Sequence, residues 1–316
     1  MKMRFLFLLG LIIPFIISCD ESFTPYTTFK QNYGVACILR SDTTLQITSL
    51  FKSYLDENNN QPKLIFEDNA DVRIWRGDSV YRLTDTMFVL SESNDSIKCY
   101  YSNKFIIDSN EDIEIEILLS NGKRLKGISK TPSDISFKNT SEVIIPPVNK
   151  DIIQILWNPA GLENFYTAQM KIKCEMIENG TNKIFYRVLP KSIVTVDGIT
   201  TPVYPKPGKS ASVVYNIDAI SWYLQSFADS LSNSNAVTIH QSIEVEIITF
   251  DREVSRYISV SNSSIDNLSI RFDEGEYTNI SGGLGIFGSQ ISTKYSRLKF
   301  LESYIRSFNF NFIFAN

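Results

Sequence analysis

Residues 113–128 read Ile113-Glu114-Ile115-Glu116-Ile117-Leu118-Leu119-Ser120-Asn121-Gly122-Lys123-Arg124-Leu125-Lys126-Gly127-Ile128. Apolar and acidic side chains alternate from Ile113 to Ile117, the two-residue period of a strand with one buried face and one wet face. Asn121-Gly122 follows, and Lys123 to Ile128 resumes the strand. Asn-Gly is the favoured two-residue type I′ connection, because both positions tolerate positive φ. The stretch therefore predicts an antiparallel hairpin. Similar signals lie upstream in Val35/Cys37/Leu39, in Leu45 to Leu50 and in Ala70 to Trp75. Gly77-Asp78 marks a turn, and Val80 to Leu83 continues. Strands at this spacing, with no long helix between them, predict a mainly β fold that opens with an antiparallel Ig-like β-sandwich over residues 34–132.

Thr131-Pro132-Ser133-Asp134 marks an expected boundary, and residues 133–316 are expected to form a C-terminal β-rich domain. Ile153/Ile155/Trp157 is a strand with an inward Trp, followed by Asn158-Pro159-Ala160-Gly161. Tyr166/Ala168/Met170/Ile172/Cys174/Met176 then alternates against polar residues. A Trp-bearing strand, a Pro/Gly turn and a Tyr-led strand resemble the opening of a fibronectin type III domain. One or two helices interrupt it. Asp218 is expected to cap a helix near 218–231, with Ile220, Leu224, Phe227 and Leu231 on one core-facing stripe. A shorter helix is expected from Glu253 to about Val260. Phe308/Phe310/Phe312/Phe314 alternates as a last strand, with too few such segments along the chain for an outer-membrane barrel.

The N-terminus carries an address. Lys2 and Arg4 precede an apolar run from Phe5 to Ile17, the layout of a secretory signal too short to span a bilayer as a mature helix. Ile16-Ile17-Ser18-Cys19 resembles a bacterial lipobox, in which the Cys receives diacylglycerol and becomes the new N-terminus. The expectation is a removed signal peptide at 1–18, lipidation at Cys19 and a polar tether at 19–33. The chain would then sit in the outer membrane as a lipid-anchored protein. Asp20 and Glu21 resemble the short acidic signal that directs lipoproteins to the outer face, and the choice between cell surface and periplasmic face stays open.

Composition excludes some functions. Of 316 residues, 43% are hydrophobic and 21% charged, enough for a sizeable core. The formal net charge of −4 becomes −6 once Lys2 and Arg4 are removed, and no basic cluster offers phosphate neutralisation, so nucleic acid is not an expected partner. Apart from Cys19, the cysteines are Cys37, Cys99 and Cys174, an odd number in phase with apolar neighbours. They read as small buried hydrophobes, with a Cys37–Cys99 bridge left open. The one histidine, His240, falls on the polar face of a strand, so a Ser-His-Asp triad or His-rich metal site is not expected.

Three motifs tempt a catalytic or cofactor assignment. Gly283-Leu-Gly285-Ile-Phe-Gly288 matches a dinucleotide fingerprint in letters, but too little chain follows for a βαβ unit. It reads instead as a glycine-dependent turn that plugs Leu284, Ile286 and Phe287 into the domain. Asp56, Asn58, Asn60 and Glu67 fit four EF-hand ligand positions, but Gln61 replaces the required Gly and Pro62 follows, so calcium is only a weak candidate there. The pairs Glu114/Glu116 and Glu244/Glu246 alternate with apolar residues and read as solvated strand faces. Facing each other across a cleft, such acids would instead serve a hydrolase of polysaccharide or peptide. No catalytic residue and no cofactor are assigned.

Val245-Glu-Ile-Ile-Thr-Phe-Asp251 through Tyr257, then Tyr277-Thr-Asn-Ile-Ser-Gly-Gly-Leu-Gly-Ile-Phe-Gly-Ser289, resemble the end of a Bacteroidota outer-membrane lipoprotein family of unknown function, the DUF4249 type. Gly34 to Arg40, the Tyr54-containing loop, Asn69-Ala-Asp-Val-Arg-Ile and the strand pair ending near Lys130-Thr-Pro resemble its N-terminal part. The resemblance implies a cell-envelope lipoprotein, encoded in some cases beside a TonB-dependent transporter, with no known activity. The expected function is a non-enzymatic binding or scaffold component accessory to such a transporter. The alternatives are the surface hydrolase and a structural or adhesive envelope lipoprotein.

Overall fold

The computed structural model describes residues 31–56, 61–89, 96–178, 180–231, 236–261 and 277–314. The fold is mainly β, with 56% of the described residues in strands and 11% in helices, and is built on a large curled sheet consistent with a β-sandwich-like architecture. The first half contributes β1 (Tyr33–Arg40), β2 (Gln46–Asp56), β3 (Gln61–Phe66), β4 (Asp71–Arg76), β5 (Ser79–Val89), β6 (Ser96–Ser102), β7 (Asp112–Leu118) and β8 (Arg124–Lys130). Their alternation is that read from sequence: Ile113, Ile115 and Ile117 of β7 are buried and Glu114 and Glu116 half-buried.

The β7–β8 hairpin forms, but its turn differs from the expected type. Leu119 pairs with Lys123, Gly122 N–H donates to Leu119 C=O at 2.9 Å, and Gly122 alone takes positive φ, at +82°. This three-residue loop is the pattern of a type I turn closed by a G1 bulge. The Asn121 side chain accepts from Lys123 N–H at 3.0 Å, which holds Asn121 out of the left-handed region that type I′ needs.

The second half contributes β9 (Ser136–Phe137), β10 (Ile144–Ile145), β11 (Ile152–Asn158), β12 (Tyr166–Glu178), β13 (Thr181–Leu189), β14 (Ser192–Val196), β15 (Ile199–Val203) and β16 (Ser212–Asn216). Then come α1 (Ile217–Asp229), β17 (Val237–Phe250), α2 (Arg252–Ser261), β18 (Ile280–Ser281), β19 (Leu284–Tyr295), β20 (Lys299–Phe300), α3 (Glu302–Arg306) and β21 (Asn311–Ile313). In α1 the buried residues include Ile220, Leu224 and Phe227 of the expected stripe, packed into the core, whereas the helix ends at Asp229 and Leu231 lies beyond it, partly buried against the same cluster. Asn216 takes the N-cap position and Asp218 lies in the first turn, so Asp218 is not the cap. Of the expected final strand only 311–313 pairs, in parallel with β17; Phe310 is buried and Phe314 is exposed.

Residue 132 does not divide the sheet. Its main path runs β10-β20-β17-β19-β1-β2-β6-β5-β4-β7-β8-β18. β19 lies between β1 and β17, parallel to the first and antiparallel to the second. Ile280, Phe287 and Ile291 therefore share a buried cluster with Val35, Leu50, Ile115 and Leu125. A second cluster gathers Trp157, Tyr166, Met170, Ile172, Leu224 and Ile243. Each such buried side chain contributes about 1.5–3 kcal/mol.

Candidate functional site

A cleft of about 300 Å³ opens beside the start of β12, and local sequence explains it. β13 pairs with β12 up to Met170↔Leu189. The next residue, Pro190, has no N–H to donate and ends the ladder. Lys191 turns away, donating its N–H to Val203 C=O and accepting from Asn216 N–H, both at 2.8 Å. The loop Pro205-Lys206-Pro207-Gly208 returns to β12 at Gly208, which exchanges two backbone bonds with Tyr166, at 2.7 and 3.0 Å, and at Pro205, whose C=O accepts from the Thr167 hydroxyl at 3.2 Å.

Between the Leu189 and Gly208 contacts Ala168 has no ladder partner on this side and is 3% exposed. Because Tyr166 directs its N–H and C=O toward Gly208, the two-residue period directs those of Ala168 to the same side. Neither Gly208 nor β13 pairs with Ala168. Trp157 and Tyr166 line the cleft, their rings in an edge contact at 5.5 Å. Trp157 is 1% exposed, and its Nε1–H has no acceptor among the described residues. Lys191 and Lys206 also line it, and neither has a carboxylate partner among the described residues. Hydroxyls of Ser210 and Ser212 stand 2.9 Å apart on one wall. The arrangement offers two cations and two hydroxyls over a floor of buried aromatic rings.

Neither family models nor curated proteins match this chain.

None of the described site candidates from sequence lines this cleft. Cys19, Asn58 and Asn60 are outside the described residues, as is the Asp56 side chain. Glu67 is described: it is buried and ion-paired with Lys52 at 2.6 Å. Among the described residues no group of three or more His, Cys, Asp or Glu is arranged to hold a metal ion. The glycine loop is packed against protein. Ile286 and Phe287 are fully buried, whereas Leu284 is 40% exposed and does not plug in. A Cβ on Gly285 would overlap the Val35 carbonyl oxygen, so a second backbone occupies the space a pyrophosphate would need.

The acid pairs are ion-paired rather than opposed across a cleft. Glu114 meets Lys126 at 2.7 Å, Glu116 meets Arg124 at 2.9 Å, and Glu244 meets Lys294 at 3.0 Å. Glu246 meets Lys171 at 2.5 Å and accepts from the Ser292 hydroxyl. Burial raises the Glu246 pKa, but the Lys171 ammonium and the Ser292 hydroxyl outweigh it and hold it below the usual range. His240 is half-buried rather than solvated, with Nε2 2.6 Å from Glu175 Oε1. Cys37, Cys99 and Cys174 are buried free thiols.

Sequence reasoning missed the cleft and one buried carboxylate. Asp251 is fully buried and N-caps α2: its Oδ1 accepts from Val254 N–H at 2.8 Å. Burial pushes its pKa up to about 6, against the opposing pull of its hydrogen bonds. The signals were present. Leu189-Pro190-Lys191 punctuates a strand end, and Asp251 directly precedes a helical apolar pattern.

Proposed function

We propose that this chain is a lipid-anchored component of a bacterial outer membrane that binds or scaffolds instead of catalysing, as an accessory to a TonB-dependent transporter. The observation that carries the proposal is Lys2 and Arg4, the apolar run, and Ile16-Ile17-Ser18-Cys19. Cys19 supplies the anchor and residues 19–33 the tether. Several acyl chains on one Cys hold firmly, since each buried CH₂ adds about 0.8 kcal/mol. Among the described residues no helix is long and apolar enough to cross a membrane, so these give no competing anchor of that kind. The likeness to the Bacteroidota lipoprotein family adds the transporter as partner.

The cleft beside β12 supports the binding role, because its lysines have no ion-pair partner among the described residues while the acids a glycosidase would use are neutralised. A scaffold role draws support from β13, which among the described residues is an edge strand paired with β12 alone, and which exposes Ile184 and Tyr186. The test is radiolabelled-palmitate incorporation and membrane fractionation of the natural chain beside Cys19→Ser. The natural chain should take up label and pellet with outer membrane, and the variant should do neither. A Cys19→Ser chain that stays fully membrane-bound overturns the anchor. Recovery of the intact lipoprotein without a transporter after detergent pull-down overturns the accessory role.

A further inference from the structure

We propose that the cleft beside β12 binds a compact hydroxy acid, its carboxylate between Lys191 and Lys206 and its hydroxyls against Ser210, Ser212 and Asn216. The inference rests on the binding-component reading and names its ligand class. Charge is the first observation. Residues 191–212 carry Lys191, Lys206 and Lys209 against one acid, Asp197, in a chain whose formal net charge is −4. Asp197 stands at the far end of the β14–β15 hairpin, beyond the Val196↔Ile199 pair, whereas Ser192↔Val203 closes the end next to Lys191. Lys191 and Lys206 line the cleft without a carboxylate partner among the described residues, and Lys209 lies over the ring of Phe165, next to Tyr166, at 5.9 Å. Acids and cations elsewhere on the strands are matched, as at Glu114–Lys126 and Glu244–Lys294. A ligand carboxylate supplies the missing partner here.

The second observation is a set of uncharged hydrogen-bonding groups around the same opening. Ser210 and Ser212 bond one another at 2.9 Å, which uses one of their two O–H groups and leaves the other, with free lone pairs, for a ligand. Asn216 holds the N-cap position of α1, where an Asn side chain accepts from the first-turn N–H groups. It makes no such cap bond and lines the cleft instead. Its amide can both donate and accept, which matches a ligand hydroxyl. A bare anion would leave these groups unused. The third observation is size and lining. About 300 Å³ is at the small end of ligand sites, room for a molecule the size of a monosaccharide. Trp157 and Tyr166 are 1% and 3% exposed, so they form a floor and offer no open ring face on which a base or an aromatic ligand would stack.

The decisive experiment is isothermal titration calorimetry of the full lipidated protein in detergent micelles. The probes are glucuronate, galacturonate and gluconate, with glucose, acetate and inorganic phosphate as comparisons. At least one of the three hydroxy acids should bind saturably, and glucose, acetate and phosphate each at least ten-fold more weakly. Lys191→Ala and Lys206→Ala should each weaken that binding several-fold while leaving thermal melting unchanged, since neither residue is in the core. Ser210→Ala combined with Ser212→Ala should weaken it as well. Asn216→Asp keeps a favoured N-cap residue and adds a negative charge, so it should abolish binding without loss of melting temperature. Absence of saturable binding by all three acids overturns the proposal. Equal binding of phosphate or acetate makes the cleft a general anion site, equal binding of glucose removes the carboxylate from recognition, and either overturns it. So does hydroxy-acid binding unaffected by both lysine variants. Because binding is read in micelles, its failure leaves the Cys19 anchor and the transporter pull-down untouched, and failure of either of those leaves the calorimetry standing.

Discussion

The Ser129 hydroxyl donates to the Asp251 carboxylate at 2.8 Å, joining residues 122 positions apart. Ser289 donates to the same oxygen at 2.9 Å, and Val254 N–H donates to the other. One buried carboxylate thus fastens β8, β19 and the start of α2. It sits where the chain's two ends are woven into one sheet, and its titration reports on that junction.

The pKa of Asp251 rises on folding from 3.8 to about 6, because burial disfavours the charge. The folded state therefore holds the proton more tightly than the unfolded state, and stability falls as pH rises through this window. The full span is worth about 3 kcal/mol. Asp251→Asn is uncharged throughout. Measured by urea unfolding, the natural chain should lose stability relative to Asp251→Asn between about pH 4 and pH 6, then run parallel to it. Curves that stay parallel from pH 4 to pH 8 would mean that the carboxylate does not titrate there.

Lys171 and Glu246 make a different kind of tie. Glu246 is 5% exposed, so Lys171→Met strands a carboxylate that only Ser292 then satisfies. The expected cost is about 2 kcal/mol, reduced from the fully buried case because the Lys171 side chain keeps 25% exposure. Lys171→Met with Glu246→Leu should recover most of that loss, since no charge is left unpaired. A double variant less stable than the single one would show that the pair contributes through packing.

These two ties mark the boundary of what sequence makes legible. Alternation in Ile113 to Ile117 and Tyr166 to Met176 located strands and their buried faces, because burial of every second residue leaves a period of two. Turn type was legible only in part. Asn121-Gly122 did not form the type I′ turn, whereas Asp197-Gly198, passed over, has φ of +51° and +78° and joins β14 to β15 in that way. Both dipeptides permit the turn, and the strand register around them decides. The parallel β1–β19 pairing was not legible, since nothing local records which distant strand fills an edge. The cleft was missed for the same reason: it is a gap between two partners of β12, and a gap has no residue pattern of its own.

The three thiols give a third prediction. Burial pushes Cys37 and Cys174 up to about 12 and Cys99 up to about 11, so at pH 8 the thiolate fraction is on the order of 10⁻³ or less at each. The folded chain should resist iodoacetamide for hours, and unfolding without reductant should release three alkylatable thiols by mass spectrometry. Recovery of one thiol and a Cys37–Cys99 bridge would overturn the free-thiol state.

Gly285 should be the least replaceable glycine in the chain's closing loop. Its φ is +110°, beyond the left-handed region that other residues occasionally enter, and a Cβ there meets the Val35 carbonyl on the neighbouring strand. Neither partner can yield, because Val35 and Gly285 are held in register along the parallel β1–β19 ladder. Gly285→Ala is expected to cost about 3 kcal/mol or more, the sum of strain and a backbone displacement. Gly122→Ala is the matched comparison: its φ is +82°, but its Cβ would meet nothing within 4 Å. It carries strain alone, about 1 kcal/mol. Thermal melting of the two variants should therefore separate them by several degrees. Equal, small losses would mean that β19 shifts away from β1 at little cost, and the junction between the two ends of the chain would be softer than its ladder implies.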